Sequence, residues 1–142
     1  MEVVLFVTVD CPIANAFAPE INRIVADYRP RGVEFTLVYT DLTRTPEEVR
    51  RHAREYGFAA SVTRDEGRRL SGLHGATVTP QAVVLARRAR VYRGRIDDRY
   101  LAPGRYRLAP TTRELRDAIE AALAGRPALP SETAAVGCPI TN

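Results

Sequence analysis

Cys11 is the residue of this chain best placed to do chemistry. It follows the apolar run Val3-Val4-Leu5-Phe6-Val7-Thr8-Val9 and Asp10, and it precedes Pro12 and a stretch of helical periodicity. A sulfur at a strand-to-helix switch faces the positive end of the helix dipole and backbone N–H groups that lack helical partners. Both favour the thiolate, which can bring a cysteine pKa from about 8.5 down toward roughly 3.5 to 7.5, although the neighbouring Asp10 carboxylate opposes the shift. A thiolate is the attacking group in disulfide exchange and in peroxide reduction, so both reactions are open at this position. The competing reading is an inert, buried cysteine.

The remaining reactive side chains are few. The second cysteine, Cys138, lies near the other end of the chain, and two cysteines are too few for a disulfide scaffold. The two histidines, His52 and His74, sit in no zinc-type spacing, so no metal is expected. His52 follows Val49 by three and reads as a surface or boundary residue. His74 stands six residues before Pro80 and could approach the sulfur as a base.

Every basic residue is Arg, and 21 of them against 17 acidic residues leave a formal charge of +4. Eight Arg fall between Arg87 and Arg107 with only Asp97 and Asp98 among them, and this alternation reads as compensating surface charge, not a nucleic-acid site. With 142 residues, 45% of them apolar, the chain can bury a core without metals or disulfides, as one domain. No apolar run approaches bilayer length, and the amino terminus lacks the basic leader and cleavage site of a signal peptide.

Several elements must position Cys11. Residues 3 to 9 read as a buried strand. Phe17, Ile21, Ile24, Val25 and Tyr28 share one face of a helix over about 13 to 29, which Pro19 should kink. Residues 33 to 40 read as a second strand. Thr45 and Glu48 have capping-box spacing with Pro46 at the first helical position, predicting a helix to about Gly57. A short strand near 61 to 63 and a short helix around 68 to 73 follow. Residues 81 to 86 and 90 to 94 predict a hairpin, and Thr111 and Glu114 repeat the capping-box spacing before a helix stopped by Gly125. The segment from Arg126 holds three prolines and no periodicity, so it should be an extended tail that owes any order to docking. The order predicts a parallel crossover, then an antiparallel hairpin, in one mixed sheet covered on both faces.

A family resemblance enters with particular residues. Cys11-Pro12-Ile13-Ala14 with Pro19 eight positions on resembles the active-site helix of thioredoxin, and Val78-Thr79-Pro80 resembles its cis-proline loop. Asp10 to Asn15, Ala18 to Arg23, Tyr92 to Tyr100 and Gly137-Cys138 are together similar to bacterial redoxin-domain proteins of the AhpC/TSA-like class. The resemblance implies an α/β fold, a thioredoxin-like three-layer sandwich with a central mixed sheet. It also implies a redoxin domain over residues 1–125, followed by a tail over 126–142, and no cofactor. An exported, periplasmic bacterial setting belongs to the same implication. The departure is Ala14, where the oxidoreductases carry the second cysteine of Cys-x-x-Cys.

Three functions follow from the resemblance. In the first, Cys11 exchanges with the disulfide of a protein substrate, the tail brings Cys138 back as resolving thiol, and Pro12, Thr79 and Pro80 present the substrate. In the second, Thr8 and an Arg, either Arg93 or Arg95, orient a peroxide for attack by Cys11, as in peroxiredoxins, although Val4 stands where that class has proline and Thr8 falls within the predicted strand. In the third, the fold is a redox-inert binding module.

Overall fold

The computed structural model describes residues 1–140. Five strands form the central sheet: β1 (Glu2–Val7), β2 (Glu34–Tyr39), β3 (Ser61–Arg64), β5 (Gln81–Ala86) and β6 (Ala89–Gly94). Their spatial order is β3-β2-β1-β5-β6. The first three run parallel, and β5 and β6 run antiparallel to their neighbours, so the sheet is mixed as expected. β1 sits at the centre because Val3, Val4, Leu5, Phe6 and Val7 are apolar on both faces, which suits only a strand covered on both sides.

Successive side chains of β1 serve two cores. Val3, Leu5 and Val7 pack with Ile21 and Ile24 of α2 (Ala18–Tyr28), Val49 of α3 (Pro46–Glu55), and Leu115 and Ile119 of α5 (Glu114–Leu123). Val4 and Phe6 face the other way, with Val38, Val83 and Leu70 of α4 (Arg69–His74). Each fully buried side chain of this size contributes about 1.5 to 3 kcal/mol.

The helix predicted over 13 to 29 is two helices, α1 (Pro12–Ala16) and α2, joined at Phe17. Pro19 falls in the first turn of α2, where its missing N–H costs no helical bond, so the break relieves the conflict that proline creates inside a longer helix. The capping box of α3 forms as its spacing predicts, with the Thr45 hydroxyl accepting from the Glu48 N–H at 3.1 Å. The one expected at Thr111 does not form. Thr111 is held by the Asp98 carboxylate, while Glu114 accepts from Arg95 at 2.6 Å and from the Thr112 hydroxyl at 2.7 Å. Asp97 and Asp98 are accordingly buried, not exposed members of a surface cluster. Burial works against the charged form of Asp98, but bonds from Thr111 and Thr112 outweigh it and hold the carboxyl far below its ordinary range. A small hairpin, β7 (Tyr100–Ala102) with β8 (Arg105–Tyr106), lies between these aspartates and α5 and has no counterpart in the sequence reading.

The tail is docked at two places. At the first, Arg93 N–H donates to Ser131 O and Thr133 N–H to Arg93 O, both at 3.1 Å. Arg95 N–H donates to the Thr133 hydroxyl, which meets Tyr92 Oη at 2.7 Å, and Tyr92 donates to Arg95 O, closing a ring of hydrogen bonds. At the second, β9 (Cys138–Pro139) pairs antiparallel with β4 (Val78–Thr79), Thr79 opposite Cys138.

Candidate functional site

Cys11 is the N-cap of α1. Its backbone is extended, with φ −90° and ψ 109°, and its sulfur accepts the Ala14 N–H at 3.4 Å, the place that a serine or aspartate oxygen fills in most helices. The same sulfur lies 3.2 Å from the carbonyl oxygen of Thr79, and the Thr79-Pro80 bond is cis. It is bonded to Cys138 as a disulfide with a Cα separation of 6.0 Å, across 127 positions of sequence. After reduction the two neighbours pull in opposite senses. The Ala14 N–H favours a thiolate, and the Thr79 carbonyl favours a protonated thiol that donates to it.

The loop before Cys11 is held on both sides. Strand β1 ends at Val7, so Thr8 stands just past it, before a turn at Val9 and Asp10, and not within the strand as the sequence suggests. Val9 N–H donates to Asp41 at 3.2 Å, and Asn15 Nδ2 donates to Val9 O at 3.1 Å. Behind Asn15 stands His52, whose Nε2 meets Asn15 Oδ1 at 2.8 Å and whose Nδ1 meets Tyr39 Oη at 2.7 Å. Because Asn15 uses its amide on Val9, its oxygen must accept, so His52 carries its proton on Nε2 and Tyr39 donates to Nδ1. His52 is buried, which corrects its reading as a surface or boundary residue. His74 does not act on this loop; its ring packs against Phe6.

Burial lowers the pKa of His52 below its ordinary 6.5. Its folded-state pKa is therefore the depressed one. Stability is full above the unfolded value and falls as pH drops from about 6.5 toward the folded pKa, because only the unfolded state takes the proton. His74 is shifted the same way, also by burial first. The expected result is a loss of urea resistance as pH falls below about 6.5 that His52→Gln reduces and His74→Gln reduces separately. Unchanged pH dependence in His52→Gln would show that the imidazole is not held neutral.

The disulfide lies at one wall of an open cleft of about 440 Å³, lined by Thr8, Asp10, Cys11, Thr40, Asp41, Arg44, Glu48 and Cys138 among others. The C-terminal ends of parallel β1 and β2 adjoin, so the loops that follow them share this edge. That topology is the signal by which Asp41 and Arg44 could have been found. Burial raises the Asp41 pKa above its ordinary value, and the nearby Asp10 charge adds to the effect. Arg44 spans Glu48 and Asp10.

Arg93 and Arg95 are not among the residues lining this cleft. Arg93, in β6, pairs with Glu132 of the tail and donates to His74 O, and Arg95, just past β6, pairs with Glu114 of α5. Thr79 and Pro80 adjoin Cys11, and Pro12 begins the helix that it caps. A larger cavity, about 560 Å³, lies between α3, β3 and α4 and contains neither sulfur.

No family model and no curated protein matches the sequence. Solved structures do match. An uncharacterized conserved protein from Geobacillus kaustophilus is 28% identical over 99% of this chain and 76% of its own, with a TM-score of 0.87. A hypothetical protein from Sinorhizobium meliloti is 26% identical over 98% of this chain and 78% of its own, with a TM-score of 0.84. A secreted Mycobacterium tuberculosis disulfide oxidoreductase, described as homologous to E. coli DsbE, is 17% identical over 87% and 80%, with a TM-score of 0.57. The chain has the thioredoxin-like fold, with an incomplete Cys-x-x-Cys motif.

Proposed function

We propose that this chain is a thiol–disulfide exchange protein in which Cys11 is the nucleophile and Cys138 the resolving thiol. The observation that carries the reading is the Cys11–Cys138 disulfide itself, formed at a helix N-cap beside the Thr79-Pro80 loop. A helix-capping sulfur with an N–H donor is a good leaving group and a good attacking group. Ala14 removes the usual second thiol from the helix, and the tail restores one from a distance. In the reduced protein the Cys11 thiolate attacks a substrate disulfide, one substrate sulfur leaves as thiolate, and Cys138 then displaces the other from Cys11. One substrate disulfide becomes two thiols while the protein dithiol becomes a disulfide.

Two features support this reading over a peroxidase. Arg93 and Arg95 are engaged elsewhere, and the cleft's own cation, Arg44, is spanned by two carboxylates. Thr8 does line the cleft, so peroxide consumption is the second assay to run.

The test follows reduction of insulin by dithiothreitol with and without the protein. The intact chain should accelerate it, and Cys11→Ser should abolish the acceleration. Reduced Cys138→Ser, freed of dithiothreitol and mixed with oxidised insulin, should stop as a mixed disulfide on Cys11, visible by mass spectrometry under non-reducing conditions. Acceleration that survives Cys11→Ser would overturn the assignment, and peroxide consumption without disulfide reduction would favour the peroxidase.

A further inference from the structure

In the oxidised protein the chain's own tail is bonded to Cys11, which is only 1% exposed. The bonded segment lies along β4 in antiparallel register, Pro139 opposite Val78 and Cys138 opposite Thr79, and Ile140 N–H donates to Thr77 O at 2.8 Å. One position of this segment has no room for a side chain. A Cβ on Gly137 would stand 2.7 Å from the Thr79 carbonyl carbon, closer still to its oxygen, and 3.3 Å from the Pro80 nitrogen. Those atoms are backbone, locked between Cys11 and β5, so they cannot swing aside as the end of a flexible side chain would. Gly137 is therefore required by close approach.

We propose that the β4 edge, where the resemblance already places the substrate, selects for glycine immediately before the exchanging cysteine of an extended partner segment, and that residues 137–140 are the tethered example of such a segment. The inference rests on the exchange reading above and supplies its substrate class. Backbone pairing to a short strand gives such a site affinity without sequence, and the wall at Thr79-Pro80 gives it selectivity at one position.

The edge holds one segment at a time. Attack by the Cys11 thiolate on a Gly-Cys disulfide breaks the substrate S–S bond, releases the partner sulfur as thiolate, and leaves the Gly-Cys segment joined to Cys11 along β4. When the Cys138 thiolate then attacks Cys11, its segment takes the same edge and the substrate cysteine departs as thiolate. Closure of the protein disulfide and release of the product are thus one event.

The test uses full-length Cys138→Ser protein, in which Cys11 is a free thiol. Two synthetic peptides of sequence AAVGCPI and AAVACPI each carry thionitrobenzoate on the cysteine, so attack releases the same coloured thiolate from both. Reduced glutathione, which has no edge to fit, should react with the two at equal rates. The protein should release thionitrobenzoate from the glycine peptide about tenfold faster or more than from the alanine peptide. Equal rates with the protein would overturn the selectivity and leave the exchange reading standing. Failure with both peptides, while glutathione reacts and circular dichroism shows a folded variant, would overturn the exchange reading and this inference with it. If Cys138→Ser does not fold, the first turnover of the reduced natural chain gives the same ratio.

Discussion

Reducing the Cys11–Cys138 disulfide is expected to lower the unfolding free energy by about 4 to 5 kcal/mol, the cost of freeing a loop of this length in the denatured chain. The bond joins residues 127 positions apart, so in the unfolded state it forbids nearly all of the extended conformations that the reduced chain would explore. A domain of this size has about 5 to 15 kcal/mol of stability in total, which makes the reduced form markedly less robust. Urea titrations of the oxidised protein, of the same protein in dithiothreitol and of the Cys11→Ser/Cys138→Ser double variant should separate this effect. The two forms without the bond should agree with each other and share a steeper dependence on urea, since their denatured chains are less compact. A difference below about 1 kcal/mol would show that the reduced denatured chain is already compact at the two ends, and would remove the tail's covalent tie as a source of stability. For the proposed exchange function, noncovalent contacts must keep Cys138 within reach of Cys11 after reduction, and the hydrogen bonds of Ser131 and Thr133 to Arg93 are such contacts.

Some of this arrangement could be read in the residues and some could not, for reasons that differ in kind. The N-cap position of Cys11, the α3 capping box at Thr45 and Glu48, and the break near Pro19 all depend on groups within a few positions of one another, so spacing alone is informative. Thr111 and Glu114 have the same spacing and fail, because Asp98 and Arg95 are better partners and come from another part of the chain. His52 sits with Val49 and Ala53 at helical intervals, so its inward direction was legible, but its polarity argued for the surface. Only Tyr39 and Asn15, brought together by the sheet, satisfy both ring nitrogens and make burial cheap. The tail shows the limit most clearly. It has no periodicity because its order lies in bonds to Arg93, Arg95 and Val78–Thr79, none of which leaves a pattern in its own residues.

Those bonds lead to the second large effect, at a residue remote in sequence from both cysteines. Gly94→Ala should loosen the tail and make the disulfide easier to reduce. A Cβ at Gly94 would fall 2.7 Å from the Thr133 carbonyl oxygen and 2.8 Å from its nitrogen, and closer to its hydroxyl. The strap must move away from β6, which breaks the ring formed by Arg95, Thr133 and Tyr92 and exposes Tyr92, whose burial holds its pKa at about 12. Forcing a methyl group into such a contact costs about 1 to 3 kcal/mol. The functional consequence is of the same size as the stability change. With Thr133 fixed, only a few residues separate the anchored point from Cys138, so the two sulfurs meet at high effective concentration; without it, the free tether extends back toward Ala128, which is buried in the core. Equilibration with glutathione should therefore show the Gly94→Ala disulfide opening at about tenfold lower ratios of reduced to oxidised thiol, a rise in potential of about 30 mV. Ser131 and Glu132 contribute through a backbone oxygen and an exposed ion pair, so Glu132→Gln should change the ratio little. A Gly94→Ala protein with an unaltered potential would mean that the disulfide holds the tail in place, and that the Thr133 anchor does nothing to hold the disulfide.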